Sequence, residues 1–373
     1  LALISLVAFA GGIQNTHNRF SLPAFTPLIF NACLIFAALI IAPKYDIPIY
    51  VLAWGVLTAG FVQLVIQLFP LKQIDRLPIP KFDLNNQGTR KVFKLIIPAI
   101  LAGGIMQINL LIDTIFASLL QTGSPTWLYV SDRLIQFPMG IFAIAIGTVL
   151  LPTLSKIDVS KDMNGFINIV KKGQRFVLFI GIPSFIGLAL CSTDILSTIF
   201  LRGEFKAYDV NQASLSLIAF SFGLPFFMLM KVLTPAFFAR KDTKTPMYIA
   251  LLSLFLNAFL NYILAFVLNY GHVGIAIGSS ISAFVSVIIL ELILVQQGIV
   301  NLYNPFNRFN FSILVPSLVV IAFLFFLSEH ISFLQLSMIN KILVLSLKVF
   351  ISIGIYLSLS RLIYGKPLKE IFN

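Results

Sequence analysis

Asp113, Asp132, Arg133, Lys231 and Glu291 are ionisable side chains set within long runs of apolar residues. Near the centre of a lipid bilayer such a group costs about 2.5–3.5 kcal/mol on insertion scales, so it normally faces a water-filled cavity or a partner. Arg133 is the most informative of the five. A guanidinium meets phosphate oxygens as a planar fork, and the helical side that carries it also holds Gln136, Gly140, Gly147 and Thr148. Those residues are small or polar where lipid-facing positions would be Leu or Phe. Capping of the outer end of a span by Asp132 and Arg133 is the competing structural account. Lys231 stands between Pro225 and Pro235, which interrupt the helical hydrogen-bond ladder and let a helix bend around a cavity. Snorkelling of its ammonium to the inner headgroups is the alternative.

Asp113 offers a different chemistry. Asn109 precedes it by one helical turn, and Asn257 and Asn261 lie four residues apart on one face of another apolar run. One carboxylate with amide oxygens suits a hard monovalent cation, although membrane asparagines more commonly hydrogen-bond between helices. His17, His272 and His330 all sit near the ends of apolar runs, and the sequence holds no His/Glu metal spacing, nucleotide-binding glycine loop or nucleophile elbow. Cys33 and Cys191 both lie in apolar stretches, which argues against a disulfide framework or a cysteine metal site. A membrane-embedded glycosyltransferase would need acidic residues clustered at one interface. The connections here are basic and short, so the chain reads as a transporter and not an enzyme.

The elements that must position these residues follow from composition. The chain has 373 residues, 58% hydrophobic and 11% charged, with a mean hydropathy of +0.97. Ordinary soluble domains are roughly 45–50% apolar and about 25% charged, so this chain cannot cover its surface with polar groups. Apolar segments fall near 1–13, 24–42, 47–69, 95–119, 127–151, 176–200, 213–238, 246–268, 273–297, 310–327 and 341–363. Runs of about 20 residues are too long for barrel strands and lack a period of two. The expected fold is therefore all-α, a polytopic membrane bundle of about eleven spans.

Lysine and arginine set the orientation, because cytoplasmic loops hold the excess. Nineteen of the 26 fall on one set of alternate connections, four on the other, and Arg133, Lys231 and Lys348 inside spans. This places the C-terminus in the cytoplasm. The net charge of +12 is thus topology and attraction to anionic membrane lipid, and nucleic acid is not an expected partner. Leu1 opens directly on an apolar run without Met, which reads as a fragment missing its beginning. Two connections carry more than a turn. Met163, Phe166, Ile167 and Val170 recur at helical spacing, which predicts a helix lying on the inner membrane surface. The stretch from Lys72 to Lys94, with Pro78, Pro80, Gly88 and six basic residues, reads as a linker between two helical bundles.

Several stretches resemble the MurJ (MviN) family of lipid II flippases, within the multidrug/oligosaccharidyl-lipid/polysaccharide exporter superfamily. They are NTHNRFSLPAFTPLIFN at 15–31, PAILAGGIMQINLLIDTIFASLL at 98–120, GSPTWLYVSDRLIQFPMGIFAIAIGTVLLPTLS at 123–155 and KVLTPAFFARKDTKTP at 231–246. The segment SDRLIQFP followed by GTVLLP is the most specific, and ARKDTKTP is also distinctive.

The resemblance implies fourteen spans in a family member, in two pseudo-symmetric six-helix lobes and two additional helices. On that scheme the first lobe is incomplete here: 1–70 is its remainder, 71–91 a basic cytoplasmic linker, 92–298 the C-lobe of six helices and 299–373 the last pair and tail. It implies movement of lipid II from the inner to the outer leaflet of a bacterial cytoplasmic membrane through a cationic central cavity. Arg133, Asp132, Gln136, Lys231 and Arg19 are then the expected substrate contacts, and Asp113, Asn257 and Asn261 an expected site for a coupling cation, sodium or a proton. Asn261 stands where a carboxylate would strengthen a sodium site. No other cofactor is expected, and the partners are lipid II, membrane lipids and cell-wall synthesis proteins. A flippase for another polyprenyl-linked oligosaccharide and a non-transporting scaffold for cell-wall enzymes are the alternatives.

Overall fold

A computed structural model describes residues 2–17, 19, 21–73, 107–144, 162–299, 308–331 and 333–364, with 104, 146, 150, 153, 154 and 157. Most of the expected linker, together with Gly147, Thr148 and the C-terminal tail, lies outside them. Among the described residues every regular element is helical. Eight of these helices are long and apolar enough to cross a membrane. The chain divides into two compact units, Leu1–Phe93 and Lys94–Asn373.

In the first unit, α1 (Ala2–Thr16) and α2 (Ser21–Phe36) both pack on α3 (Pro48–Gln73). A π-helical turn at Ala37–Ile41 extends α2. The seam of α3 is polar, because buried amides must find partners where water is absent. Gln63 Nε2 donates to the Thr26 carbonyl and Gln67 Nε2 to Thr26 Oγ1, both at 2.7 Å. Gln14 Nε2 reaches the Gln67 carbonyl at 3.3 Å. Arg19, at the α1–α2 turn, donates to Gln73 Oε1 at 2.8 Å and ties that turn to the end of α3.

The second unit begins, among the described residues, with a helix over 107–118, here α4. There follow α5 (Ser124–Pro138), α6 (Met163–Leu190), α7 (Ser192–Ile199), α8 (Ala207–Ala239), α9 (Lys244–Tyr262), α10 (Gly271–Gln296), α11 (Arg308–His330) and α12 (Met338–Tyr364). Further π turns extend α5 at Met139–Ile144 and α9 at Ile263–Val267. At about 1.5 Å per residue, the 33 residues of α8 span about 50 Å. This helix is the axis of the unit, packed by α5, α6, α7 and α10. Leu217, Leu224, Met228, Val232, Leu233 and Phe237 are fully buried along it.

Neighbouring helices also donate into the carbonyls of α8. Ser131 Oγ bonds Ala213 O and Ser280 Oγ bonds Ala219 O, both at 2.8 Å, and His272 Nε2 lies 3.1 Å from Gln212 O. One end of the unit is pinned by Trp127, whose Nε1 donates to Asp209 Oδ1 at 2.9 Å while its ring lies 4.8 Å from that of His272. Gly123 makes this possible: its φ is 103°, and a Cβ there would stand 2.6 Å from the Trp127 ring.

Two expectations need correcting. The amphipathic stretch 163–170 is not a separate surface helix; it forms the first turns of the continuous α6, with Asp162 accepting from Gly165 N at 2.8 Å as its cap. Phe166 and Val170 are fully buried in the core of the unit instead of resting on lipid. The apolar run 176–200 is likewise not one span, because the helix breaks at Cys191 into α6 and α7.

The α11–α12 hairpin packs on α6 and α7. Tyr356 OH donates to Phe179 O at 2.8 Å, and Ser360 Oγ to Ser312 O at 2.7 Å. Lys348 Nζ on α12 meets Asp194 Oδ2 in the first turn of α7 at 2.6 Å, with the Phe333 ring centred 5.3 Å from the ammonium.

Candidate functional site

Three helices of the second unit bring the acid and amide residues together. Asn257 and Asn261, one turn apart on α9, are 2% and 0% exposed, so each of their polar atoms needs a partner within the protein. Asn261 Nδ2 donates to Asp113 Oδ1 of α4 at 2.6 Å and to Asn257 Oδ1 at 2.7 Å. Asn257 Nδ2 in turn donates to Ser279 Oγ of α10 at 2.9 Å. On the same helices Phe116 and Phe266 meet edge to face, at 5.7 Å between centroids, in an apolar cluster with Ala117, Ala265 and Ile275.

The cluster is not fully satisfied. Asn261 Oδ1 is buried with no hydrogen-bond partner among the described residues, and so is Asn109 Oδ1, one turn before Asp113. Asn261 Oδ1 fills the space that a Cβ on Gly278 would need. Turning the Asn261 amide over would put its oxygen where its nitrogen now stands, beside Asp113 Oδ1 and Asn257 Oδ1. A carboxylate with two amide oxygens, one of them the orphaned Asn261 Oδ1, fits a monovalent cation, and a Cβ-free residue behind it leaves the amide room to turn.

The second group of candidates lies on α5. Arg133 is exposed, with its Nη1 3.1 Å from Gln136 Oε1 and its guanidinium 4.8 Å from the centre of the Tyr129 ring. Gln136 Nε2 donates back to Asp132 Oδ2. Asp132, Gln136 and Arg133 thus form one hydrogen-bonded chain in which the carboxylate orients the amide and the amide holds the guanidinium. Gly140 follows on the same side, with no atom of the described residues within 4 Å of its missing Cβ.

The remaining candidates stand apart from both groups. Lys231 is half-buried on α8 between its two prolines and makes no ion pair with a described residue. Glu291 accepts from Gln174 Nε2 at 2.9 Å, bridging α10 to α6. Arg19 belongs to the first unit, where it bonds Gln73. Sequence reading missed the Lys348–Asp194 pair. Its signal was a lysine well inside an apolar run, but Asp194 stands close to the end of its own run and resembles a solvated cap.

Comparison with known proteins agrees with this architecture. A family profile described as "Lipid II flippase MurJ" matches residues 1–344. A probable lipid II flippase MurJ of Vibrio cholerae is 42% identical over 302 residues, covering 81% of this chain and 57% of that protein. The Haemophilus influenzae counterpart is 40% identical over 296 residues, covering 78% and 58%. One from Rhizobium tropici is 31% identical over 374 residues, covering 98% and 69%. The chain therefore spans less than two thirds of the length of the first two relatives. A solved lipid II flippase MurJ in an inward closed conformation superposes with a TM-score of 0.79 at 27% identity, over 97% of this chain and 72% of that one. The profile match over nearly the whole sequence, with two relatives at 40% identity or above, makes this chain a member of the lipid II flippase MurJ family.

Proposed function

We propose that the protein carries lipid II, the undecaprenyl-pyrophosphate-linked peptidoglycan precursor, from the inner to the outer leaflet of a bacterial cytoplasmic membrane by alternating access. The observation that supports this best, beside family membership, is Arg133: an exposed guanidinium on a membrane helix, steadied by Gln136 and Asp132. A pyrophosphate and its hydrophilic sugar-peptide cannot enter hydrocarbon without partners, and Arg133 presents to phosphate oxygens the planar fork they pair with. Lys231 and Arg19 supply further positive charge, and the helices from α4 to α10 act as one lobe with the last hairpin appended. Nineteen basic residues on one set of connections support a cytoplasmic position for those connections and for the C-terminus. With the interior negative, each negative charge moved outward gains about 2.3 kcal/mol per 100 mV, so an anionic headgroup is driven in the biosynthetic direction. Membrane lipids and cell-wall synthesis proteins are the expected neighbours.

The test is Arg133→Ala and Arg133→Lys in the full-length protein at matched membrane abundance. Lipid II translocation is measured, together with growth when this is the sole flippase. Alanine should abolish transport, and lysine should restore only part of it, because it keeps the charge and loses the fork. Normal translocation by the alanine variant would reduce Arg133 to an interfacial anchor and favour a non-transporting scaffold.

The cluster of Asp113, Asn257 and Asn261 is proposed to hold the coupling cation that resets the empty carrier. A bound sodium ion would neutralise the carboxylate and draw α4 and α9 together. Sodium chloride should then raise the melting temperature of the purified protein above that in potassium chloride of equal ionic strength, by up to about 2.7 kcal/mol of stabilisation at a hundredfold excess over Kd. Asp113→Ala should erase the difference. Identical melting of the unsubstituted protein in both salts would rule sodium out.

A further inference from the structure

Asp113 and Asp132 enter the function proposed above separately, one for a cation and one beside a phosphate ligand, yet the fold sets them against each other. The α4 helix and α5 are joined by residues 119–123 alone, and so short a connection makes neighbouring helices antiparallel. Ala117 and Leu128 share one buried cluster across that hairpin. One helical turn further from the connection on each side stand Asp113 and Asp132, which keeps the two carboxylates level. Both are half-buried, and their charges act on one another.

Like charges so placed repel strongly, because little water stands between them to screen the field. Asp113 is met by an amide, Asn261 Nδ2 at 2.6 Å, and not by a cationic side chain among the described residues. Asp132 accepts from Gln136 Nε2, and its charge is also attracted by the adjacent Arg133. Two positions thus compete for the Asp132 carboxylate. On Gln136 it orients the amide whose Oε1 lies 3.1 Å from Arg133 Nη1, and the guanidinium keeps further N–H groups for a ligand. Drawn onto Arg133 itself, it would take the same N–H groups that phosphate oxygens need. A negative charge at Asp113 favours the second position, because it pushes the Asp132 carboxylate away from α4 and toward the exposed side of α5, where Arg133 stands.

We propose that Asp132 couples the two sites: a monovalent cation at Asp113 cancels the repulsion, leaves Asp132 on Gln136, and opens the Arg133 fork to a phosphate oxyanion. Asp132 is then a positioning residue, and cation and oxyanion strengthen each other's binding by the same factor. The cation that resets the empty carrier leaves it ready for the next headgroup. This coupling rests on both readings above, a cation at Asp113 and phosphate at Arg133, and each of those has its own control.

The experiment titrates inorganic pyrophosphate into the purified full chain by calorimetry, in sodium chloride and in potassium chloride of equal ionic strength. Affinity should be at least about fivefold higher in sodium. Asp132→Asn should bind equally in both salts, whereas Asp132→Glu, which keeps the charge, should retain a sodium dependence. Asp113→Asn should bind in potassium as tightly as the unsubstituted protein binds in sodium, because the opposing charge is gone. Loss of a merely structural aspartate would not tighten binding. Equal affinities of the unsubstituted protein in the two salts overturn the coupling alone, provided that sodium raises its melting temperature and Arg133→Ala loses pyrophosphate. Identical melting in both salts, or pyrophosphate binding that Arg133→Ala leaves intact, removes one of the two underlying sites and the coupling with it. Sodium dependence that persists in Asp132→Asn overturns the role of Asp132, because the cation's own field would then suffice.

Discussion

Asp194→Asn and Lys348→Met, made singly, should each destabilise the protein by about 3–5 kcal/mol, while the double replacement should come back to within about 1 kcal/mol of the parent. The Lys348 and Asp194 side chains are 4% and 14% exposed, and their charged atoms stand 2.6 Å apart. Removing one leaves the other buried without a counter-charge, and that uncompensated ion carries most of the cost. Removing both removes the desolvation along with the attraction. The pair links α12 to α7, so the expected first event in either single variant is loss of the α11–α12 hairpin from the unit. Melting of the purified chain in detergent, read alongside protease cleavage ahead of α11, measures both. Singles that melt with the parent, or a double that is no better than the singles, would show that the pair does not hold the hairpin.

Gly274→Ala should be strongly damaging, among the described glycines, for a single added methyl. A Cβ there would meet the Leu264 carbonyl carbon at 2.6 Å, Ala265 N at 2.7 Å and Leu264 O at 2.9 Å. All three are backbone atoms, so no side chain can rotate aside, and overpacking of this kind costs about 1–3 kcal/mol. The displaced backbone belongs to the π turn of α9, directly after Asn261. The substitution should therefore lower melting and also abolish any sodium-dependent stabilisation by the Asp113 cluster. Gly354→Ala on α12 is the matched control: nothing lies within 4 Å of its Cβ, and the change should be neutral or slightly stabilising. Equal melting of the two variants would mean that α9 and α10 can part at no cost.

The helices were legible in the sequence because a bilayer fixes their length, and most of the apolar runs of about 20 residues have a helical counterpart among the described residues. The meeting of Asp113 with Asn257 and Asn261 was legible for a related reason: polar groups in hydrocarbon seek each other, so few partners were available. Lys348 and Asp194 lie 154 residues apart in sequence, and nothing local to either announces the other. Periodicity at 163–170 correctly gave an apolar face but not what covers it, which is the protein core. Hydropathy also cannot detect the break at Cys191, since a helix can end without any change in apolarity. Gly274 required the backbone of a second helix on the page before its missing side chain acquired a meaning.

The three π turns, at Ala37–Ile41, Met139–Ile144 and Ile263–Val267, share one property. Each is a stretch of helix that holds one residue more than an α-turn accommodates. Losing that residue would turn the wide coil into an ordinary α-turn, and because the wide turn absorbs its extra residue locally, the helix on either side would keep its facing. The α2 and α9 turns stand at the far ends of their helices, where the chain leaves for a loop. The one after α5 instead comes soon after Arg133 and Gln136. Length variation of a single residue is therefore cheap at all three, and at the second it need not change which residues share a face with the guanidinium.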